Sequence, residues 1–229
     1  MYEKLPTELK ENARFCLWKH EPNGKVPYQI NGCKAKATDK KSFSDYKSVV
    51  DGLNGYDGIG IGIFDGFCAI DIDHCVENGS LSETAQDIIK EMNSYTEYSP
   101  SGTGVRIIFR VSNPSYDKKR YYINNRKLGL EIYVSGYTNR FVTITGNALN
   151  ENDVSERDAE LMRVLEKYMI KLTSHMQDST DDARKEIKGE ELSDDAKKRA
   201  EKEVDDIIKD FSAQVEKLFA EKQAEIMTI

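Results

Sequence analysis

The sequence predicts an α+β fold whose strands form a mixed, mainly antiparallel sheet. Short β-type runs bounded by Gly, Asn and Asp recur between Arg14 and Thr145. Only a few amphipathic helical segments interrupt them, and no repeat at solenoid periods is present. A chain of 229 residues is long enough to bury a core and to hold one or two domains.

The elements follow in chain order. Residues 6–12 read as a helical turn and residues 14–19 as a strand. Residues 21–41, with Asn23-Gly24, Asn31-Gly32 and five lysines, read as a solvated loop. Ser42 is expected to cap a helix over residues 42–53, with Phe43, Tyr46, Val49, Val50 and Leu53 on one face. A hairpin comes next, residues 58–63 returning as 66–73 across Asp65-Gly66. The helix over residues 82–94 opens at Ser82 and carries Ala85, Ile88, Ile89 and Met92 as its stripe. Strands at 95–98 and 105–111 flank the tight turn Ser99-Pro100-Ser101-Gly102-Thr103-Gly104. After a polar, basic segment at 116–126 come strands at 128–134 and 140–145. A helix over 156–172, with Leu161, Leu165, Tyr168 and Leu172 in register, closes this part.

Composition narrows the function. The chain is 38% hydrophobic and 32% charged, so part of it is expected to be a solvated helical region. No apolar run reaches the ~18 residues that cross a bilayer. The N-terminus lacks the apolar core of a signal peptide. Cys16, Cys33, Cys68 and Cys75 are too scattered for a zinc or disulfide pattern, which points to reduced thiols and the cytoplasm. Residues 173–229 hold 10 Lys and Arg against 16 Asp and Glu, a net −6 that leaves −1 for residues 1–172. Nucleic-acid binding therefore has to come from a local patch.

The chemistry centres on Ala69-Ile70-Asp71-Ile72-Asp73-His74. On a strand, Asp71 and Asp73 share a face, with Cα atoms roughly 6.6 Å apart, while Ile70 and Ile72 face the core. Two like charges that close repel, and a hard divalent cation is the common remedy. Removing one of them is accordingly expected to raise the metal-free melting temperature. By alternation His74 points away and reads as structural. Glu131, in Leu130-Glu131-Ile132-Tyr133, is a third candidate ligand. Three carboxylates holding two Mg²⁺ or Mn²⁺ ions suit nucleotidyl transfer to a 3′-hydroxyl. The turn offers Ser101, Gly102 and Thr103 to phosphates. Arg106 and Arg110 alternate onto one face with Ile108, and Arg106 is the nearer to the turn. Arg140 enters the last strand, ahead of Thr143, Thr145 and Gly146.

These residues carry a resemblance. Residues of about 10–172 are similar to the catalytic domain of the archaeo-eukaryotic primase superfamily, in its primase-polymerase branch of phages, plasmids and other mobile elements. The stretches concerned are Ile70-Asp71-Ile72-Asp73-His74-Cys75, the run from Tyr95 to Arg106, Leu130-Glu131-Ile132-Tyr133 and the run from Arg140 to Gly146. The upstream Lys25-Val26-Pro27-Tyr28 matches as well. The second stretch commonly ends in His in that superfamily, and Arg106 stands there in this chain.

The resemblance implies an RRM-like core acting as a template-directed DNA primase-polymerase. Asp71, Asp73 and Glu131 would hold two Mg or Mn ions. Ser101, Gly102, Thr103, Arg106 and Arg140 would take the nucleoside triphosphate, and Lys34 and Lys36 would contact a single-stranded DNA template. No Gly-x-x-x-x-Gly-Lys-Ser/Thr pattern occurs, so a replicative helicase would be a separate partner. Two other readings use the same residues: an inactive nucleic-acid-binding module, and a metal-dependent phosphoesterase or nuclease.

Residues 1–172 are thus expected to be the catalytic domain, 173–182 a linker and 183–229 an acidic α-helical hairpin. In the last, Val204, Ile207, Ile208, Phe211, Val215, Leu218 and Phe219 form a 3-4 stripe. Parts of residues 181–229 resemble the C-terminal helical part of ribosome recycling factor, without the rest of that factor.

Overall fold

Strand-forming runs and short helices alternate along the chain, and the computed structural model describes residues 2–171. These fall within one unit, Met1–Lys171. The linker and acidic helical hairpin expected beyond it lie outside the described residues. After a 3-10 turn at Tyr2–Lys4 come α1 (Thr7–Asn12), β1 (Phe15–Glu21) and β2 (Gly24–Tyr28). A second 3-10 turn at Lys40–Ser42 precedes α2 (Tyr46–Asp51), β3 (Gly58–Gly62) and β4 (Phe67–Ile72). The small hairpin β5 (Val76–Glu77) and β6 (Ser80–Leu81) leads to α3 (Glu83–Met92), β7 (Thr96–Tyr98) and β8 (Val105–Arg110). Then follow β9 (Asn124–Asn125), β10 (Leu130–Tyr133), β11 (Phe141–Ile144) and α4 (Asp158–Tyr168).

The fold is α+β, built on two antiparallel sheets. One has four strands in the order β11-β3-β1-β2, and the other five in the order β7-β8-β4-β10-β9. In the five-stranded sheet β4 crosses through α3 to β7, and β8 then inserts between them, which makes a split β-α-β unit. One face of this sheet, with Ile70, Ile72, Ile107 and Ile132, packs against Ile88 and Met92 of α3 and Leu161 and Leu165 of α4. The other face, with Ala69, Ile108 and Tyr133, shares a core with Phe15, Leu17, Ile59, Ile61 and Val142 of the four-stranded sheet.

Three local expectations change. The hairpin of residues 58–63 and 66–73 does not form, because β3 and β4 belong to different sheets. The turn at Asp65-Gly66, with φ of 54° and 83°, carries the chain from one sheet to the other. β4 is buried almost throughout, so it needs a partner on each side, and β8 and β10 supply them. The loop expected at 21–41 contains β2, paired with β1 across Asn23-Gly24, where Gly24 takes φ 115°. The helix expected from Ser42 begins at Tyr46. Asp45 caps it by accepting the Ser48 N–H at 2.9 Å, while the Ser42 hydroxyl donates to the Asp39 carbonyl at 2.7 Å. At α3 the expected cap holds: Ser82 Oγ accepts the Ala85 N–H at 3.3 Å.

Candidate active site

A row of polar side chains crosses the five-stranded sheet from edge to edge. Register pairs Glu97 of β7 with Arg106 of β8, Arg106 with Asp71 of β4, Asp71 with Glu131 of β10, and Glu131 with Asn124 of β9. Residues directly opposite on antiparallel strands share a face, here the one turned toward the four-stranded sheet. The next row, Tyr133, Ala69 and Ile108, is already core.

Charge at this depth has to be paired. Arg106 is only 4% exposed. Its Nη2 donates to Asp71 Oδ2 at 3.3 Å, and its Nη1 donates to the Thr143 carbonyl at 3.1 Å and hydroxyl at 2.5 Å. Nε stands 3.2 Å from Asp71 Oδ1, but off the hydrogen-bond axis. Both atoms are therefore buried without a hydrogen-bond partner among the described residues. Burial raises the pKa of Asp71, the Arg106 guanidinium opposes that rise, and Asp73 adds to it.

Glu97 is fully buried at the far end of the row. It accepts the Thr145 N–H at 2.8 Å, the Gly146 N–H at 2.9 Å and the Tyr95 hydroxyl at 2.9 Å. Burial outweighs these bonds and raises its pKa. On the other side of Asp71, the Glu131 carboxylate takes hydrogen bonds from the Asn124 amide and the Tyr133 hydroxyl. Asp73 lies just past the end of β4, exposed, with its N–H on the Gly129 carbonyl at 2.8 Å.

Two glycines allow the flanking strands to close on this end of β4. A Cβ on Gly104 would stand 2.7 Å from the Ile72 oxygen, and one on Gly129 3.0 Å from the Asp73 oxygen. The Ser99–Gly104 turn thus abuts Asp73. Its hydroxyls form a chain, Ser99 to Ser101 at 3.0 Å and Ser101 to Thr103 at 2.9 Å, and Gly102 takes φ 74°.

The candidates from the sequence thus divide. Asp71, Glu131 and Arg106 stand in one row, with Asp73 and the Ser101, Gly102 and Thr103 turn at its margin. Arg140 is exposed at the entry to β11, and its charge acts on the Tyr133 hydroxyl. Lys34 is paired with Glu21 at 2.8 Å, and Lys36 is exposed near the 3-10 turn at Lys40–Ser42. Arg110 holds Glu8 of α1 at 2.6 Å, away from the row.

Sequence reasoning missed two residues. Lys25 of β2 is exposed, yet partial desolvation and then the charge of Arg106 lower its pKa, while Asp71 and Asp73 act in the opposite direction. It belongs to the Lys25-Val26-Pro27-Tyr28 run, which was legible as a motif but not as part of this site. Glu97 alternates with Tyr95, the same signal that singled out Glu131.

The donor set suits an oxygen-preferring ion, and the orphaned Asp71 Oδ1 is a buried acceptor in want of a partner. Among the described residues, however, no three His, Cys, Asp or Glu side chains converge closely enough to hold one ion. Glu131 is held by Asn124 and Tyr133, and Arg106 occupies Asp71. The residues fit a divalent ion in chemistry, and Asn124 and Tyr133 compete with it for the Glu131 carboxylate.

Comparison with known proteins agrees with both resemblances. The chain is 33% identical over 170 residues to the DNA Primase-polymerase of Nitratiruptor phage NrS-1, covering 71% of this chain and 23% of that protein. It spans about a quarter of that relative's length. It is 29% identical over 82 residues to the Ribosome-recycling factor of Streptococcus pyogenes, covering 36% of this chain and 44% of that protein. The family described as Ribosome recycling factor matches residues 118–227, a range that begins inside the α+β unit before β9 and extends past it. No helix among the described residues is long and apolar enough to cross a membrane. The chain is thus similar to a phage DNA primase-polymerase over most of its length, and to ribosome recycling factor toward its C-terminus.

Proposed function

We propose that this protein is a template-directed nucleotidyltransferase, a DNA primase-polymerase of a mobile-element replication system. The observation that carries the reading is the row Arg106–Asp71–Glu131 with Asp73 and the Ser99–Gly104 turn at its edge. Asp71, Asp73 and Glu131 would hold Mg²⁺ or Mn²⁺. Such ions, when bound, acidify an attacking 3′-hydroxyl and neutralise triphosphate charge. The chain's own residues then supply orientation. Ser101 and Thr103 present hydroxyls, and Gly102 exposes backbone to the phosphates. Lys25 and Arg140 bring positive charge to the margins of the carboxylates. Arg106 holds Asp71 in place and offsets the repulsion between Asp71 and Asp73. Single-stranded DNA and nucleoside triphosphates are the substrates in this reading, with Lys34 and Lys36 available to the template and a helicase as a separate partner.

A second reading is favoured by the hydrogen bonds that already occupy Glu131 at Asn124 and Tyr133: a nucleic-acid-binding module on the same fold without catalysis. Incubation with a primed template, labelled nucleotides and Mn²⁺ decides. Extension that disappears in Asp71→Asn supports the polymerase. Template binding without extension supports the binding module, and degradation of the labelled strand supports a nuclease.

A further inference from the structure

Arg106 is the one cation inside the polar row. Its side chain is 4% exposed and that of Asp71 is 15% exposed. Among the described residues Asp71 is the only carboxylate within ion-pair distance of it. Glu97, its neighbour on the other side, commits its oxygens to the Thr145 and Gly146 N–H groups and the Tyr95 hydroxyl. Thr143 fixes Nη1 through its carbonyl and its hydroxyl. A guanidinium keeps its proton at any working pH. The charge is therefore permanent, buried and set against both oxygens of Asp71.

Glu131 and Asp73 stand differently. Glu131 is bonded by neutral groups, the Asn124 amide and the Tyr133 hydroxyl, and Asp73 is exposed. Neither is ion-paired among the described residues. Three carboxylates and one guanidinium leave two negative charges, which one divalent ion cancels. Lys25 and Arg140 lie at the margins and are exposed, so solvent and salt screen them. A second divalent ion would place a surplus of positive charge around a largely buried aspartate. Unbalanced charge at that depth is costly.

We propose that the Arg106 guanidinium is the second cation of this site: it holds the place at Asp71 that a second divalent ion would take, and it sets how tightly the one remaining ion binds. The inference rests on the reading above of Asp71, Asp73 and Glu131 as ion ligands. The guanidinium and the ion share Asp71, and the repulsion between them lowers the affinity for the ion.

The test is Mn²⁺ binding to the full chain, with neither nucleotide nor template, measured by calorimetric titration. The ions counted are those whose binding is lost in Asp73→Asn. The native protein should take one such ion. Arg106→Gln removes the charge and should bind it about tenfold more tightly or better. Arg106→Lys keeps the charge and should stay within about threefold of the native affinity. Two ions in the native protein, or an unchanged or weaker affinity in folded Arg106→Gln, overturns the proposal. An equal gain in Arg106→Lys overturns it as well, because charge is then not the cause. If circular dichroism shows Arg106→Gln misfolded, the native ion count and the Arg106→Lys affinity carry the test. No Asp73-dependent binding at all overturns both the proposal and the ligand assignment.

Mn²⁺-dependent extension of a primed template, measured on the same samples, separates this inference from the nucleotidyl-transfer reading. Extension by a native protein that takes two ions removes the role of Arg106 alone. Tighter binding in Arg106→Gln without extension by the native chain upholds that role and removes the polymerase.

Discussion

Arg106 of β8 is hydrogen-bonded to Thr143 of β11, across the interface between the two sheets. The guanidinium that neutralises Asp71 therefore also ties the sheets together. Substitutions in the row will report on stability as well as chemistry, and the two aspartates should behave differently.

Asp71→Ala leaves the Arg106 charge buried without the carboxylate it is paired to, its remaining hydrogen bonds going to Thr143, so the cost should be roughly 3–5 kcal/mol. Asp73 is exposed beyond the strand, and Asp73→Ala should change stability by no more than about 0.5 kcal/mol. The repulsion argument alone would have either substitution raise the melting temperature, but the ion pair reverses the sign at Asp71. Urea unfolding without metal measures both. Equal effects at the two positions would mean that the Arg106–Asp71 pair carries no stability.

Arg106→Ala should raise the nucleotide KM and destabilise the fold by a similar roughly 3–5 kcal/mol, because Asp71 is then the buried, unpaired charge. Arg106→Lys keeps a charge but lacks the planar fork that reaches Asp71 and Thr143 together, so it should fall between the two. Steady-state kinetics beside thermal melts tests this. An unchanged KM in a folded Arg106→Ala protein would make the residue purely structural.

Tyr133→Phe should tighten Mn²⁺ binding, since Glu131 no longer gives up a phenolic hydrogen bond to reach an ion. A gain of several-fold is expected from the loss of one bond worth about 1 kcal/mol. Calorimetric titration with Mn²⁺ reads it directly, and weaker binding would instead make Tyr133 the group that orients Glu131 for the metal.

Glu97 has its pKa raised by burial above the ordinary glutamate value. A carboxyl whose folded pKa lies above its unfolded one favours the folded state most at low pH. Its contribution is complete below the unfolded value and is lost as pH rises through the folded one. Stability should therefore fall across that window in the native chain, and Glu97→Gln should flatten the slope. Unfolding free energies measured from pH 4 upward, about where an ordinary glutamate titrates, test it; an identical slope in the variant would remove Glu97 as the cause.

What could be read from the chain in one dimension was whatever depends on near neighbours. Alternation along a strand sorted Asp71 from Ile70 and Glu131 from Ile132, because side chains two apart share a face whatever the strand pairs with. The Ser82 cap and the stripe of α3 are likewise properties of one turn of helix. Partner choice is not local. Asp71 meets Arg106 from 35 positions away and Arg106 meets Thr143 from 37, so only the assembled sheets could show that the arginine is buried and spoken for. The same holds for Lys34, which the sequence offers as a free cation and Glu21 claims, and for Glu97, whose burial follows from Thr145 and Gly146 closing over it. The separation of β3 from β4 has the same origin. A turn signal at Asp65-Gly66 says that the chain reverses, but whether the two strands then pair is settled by which other strands offer each of them a better-buried ladder.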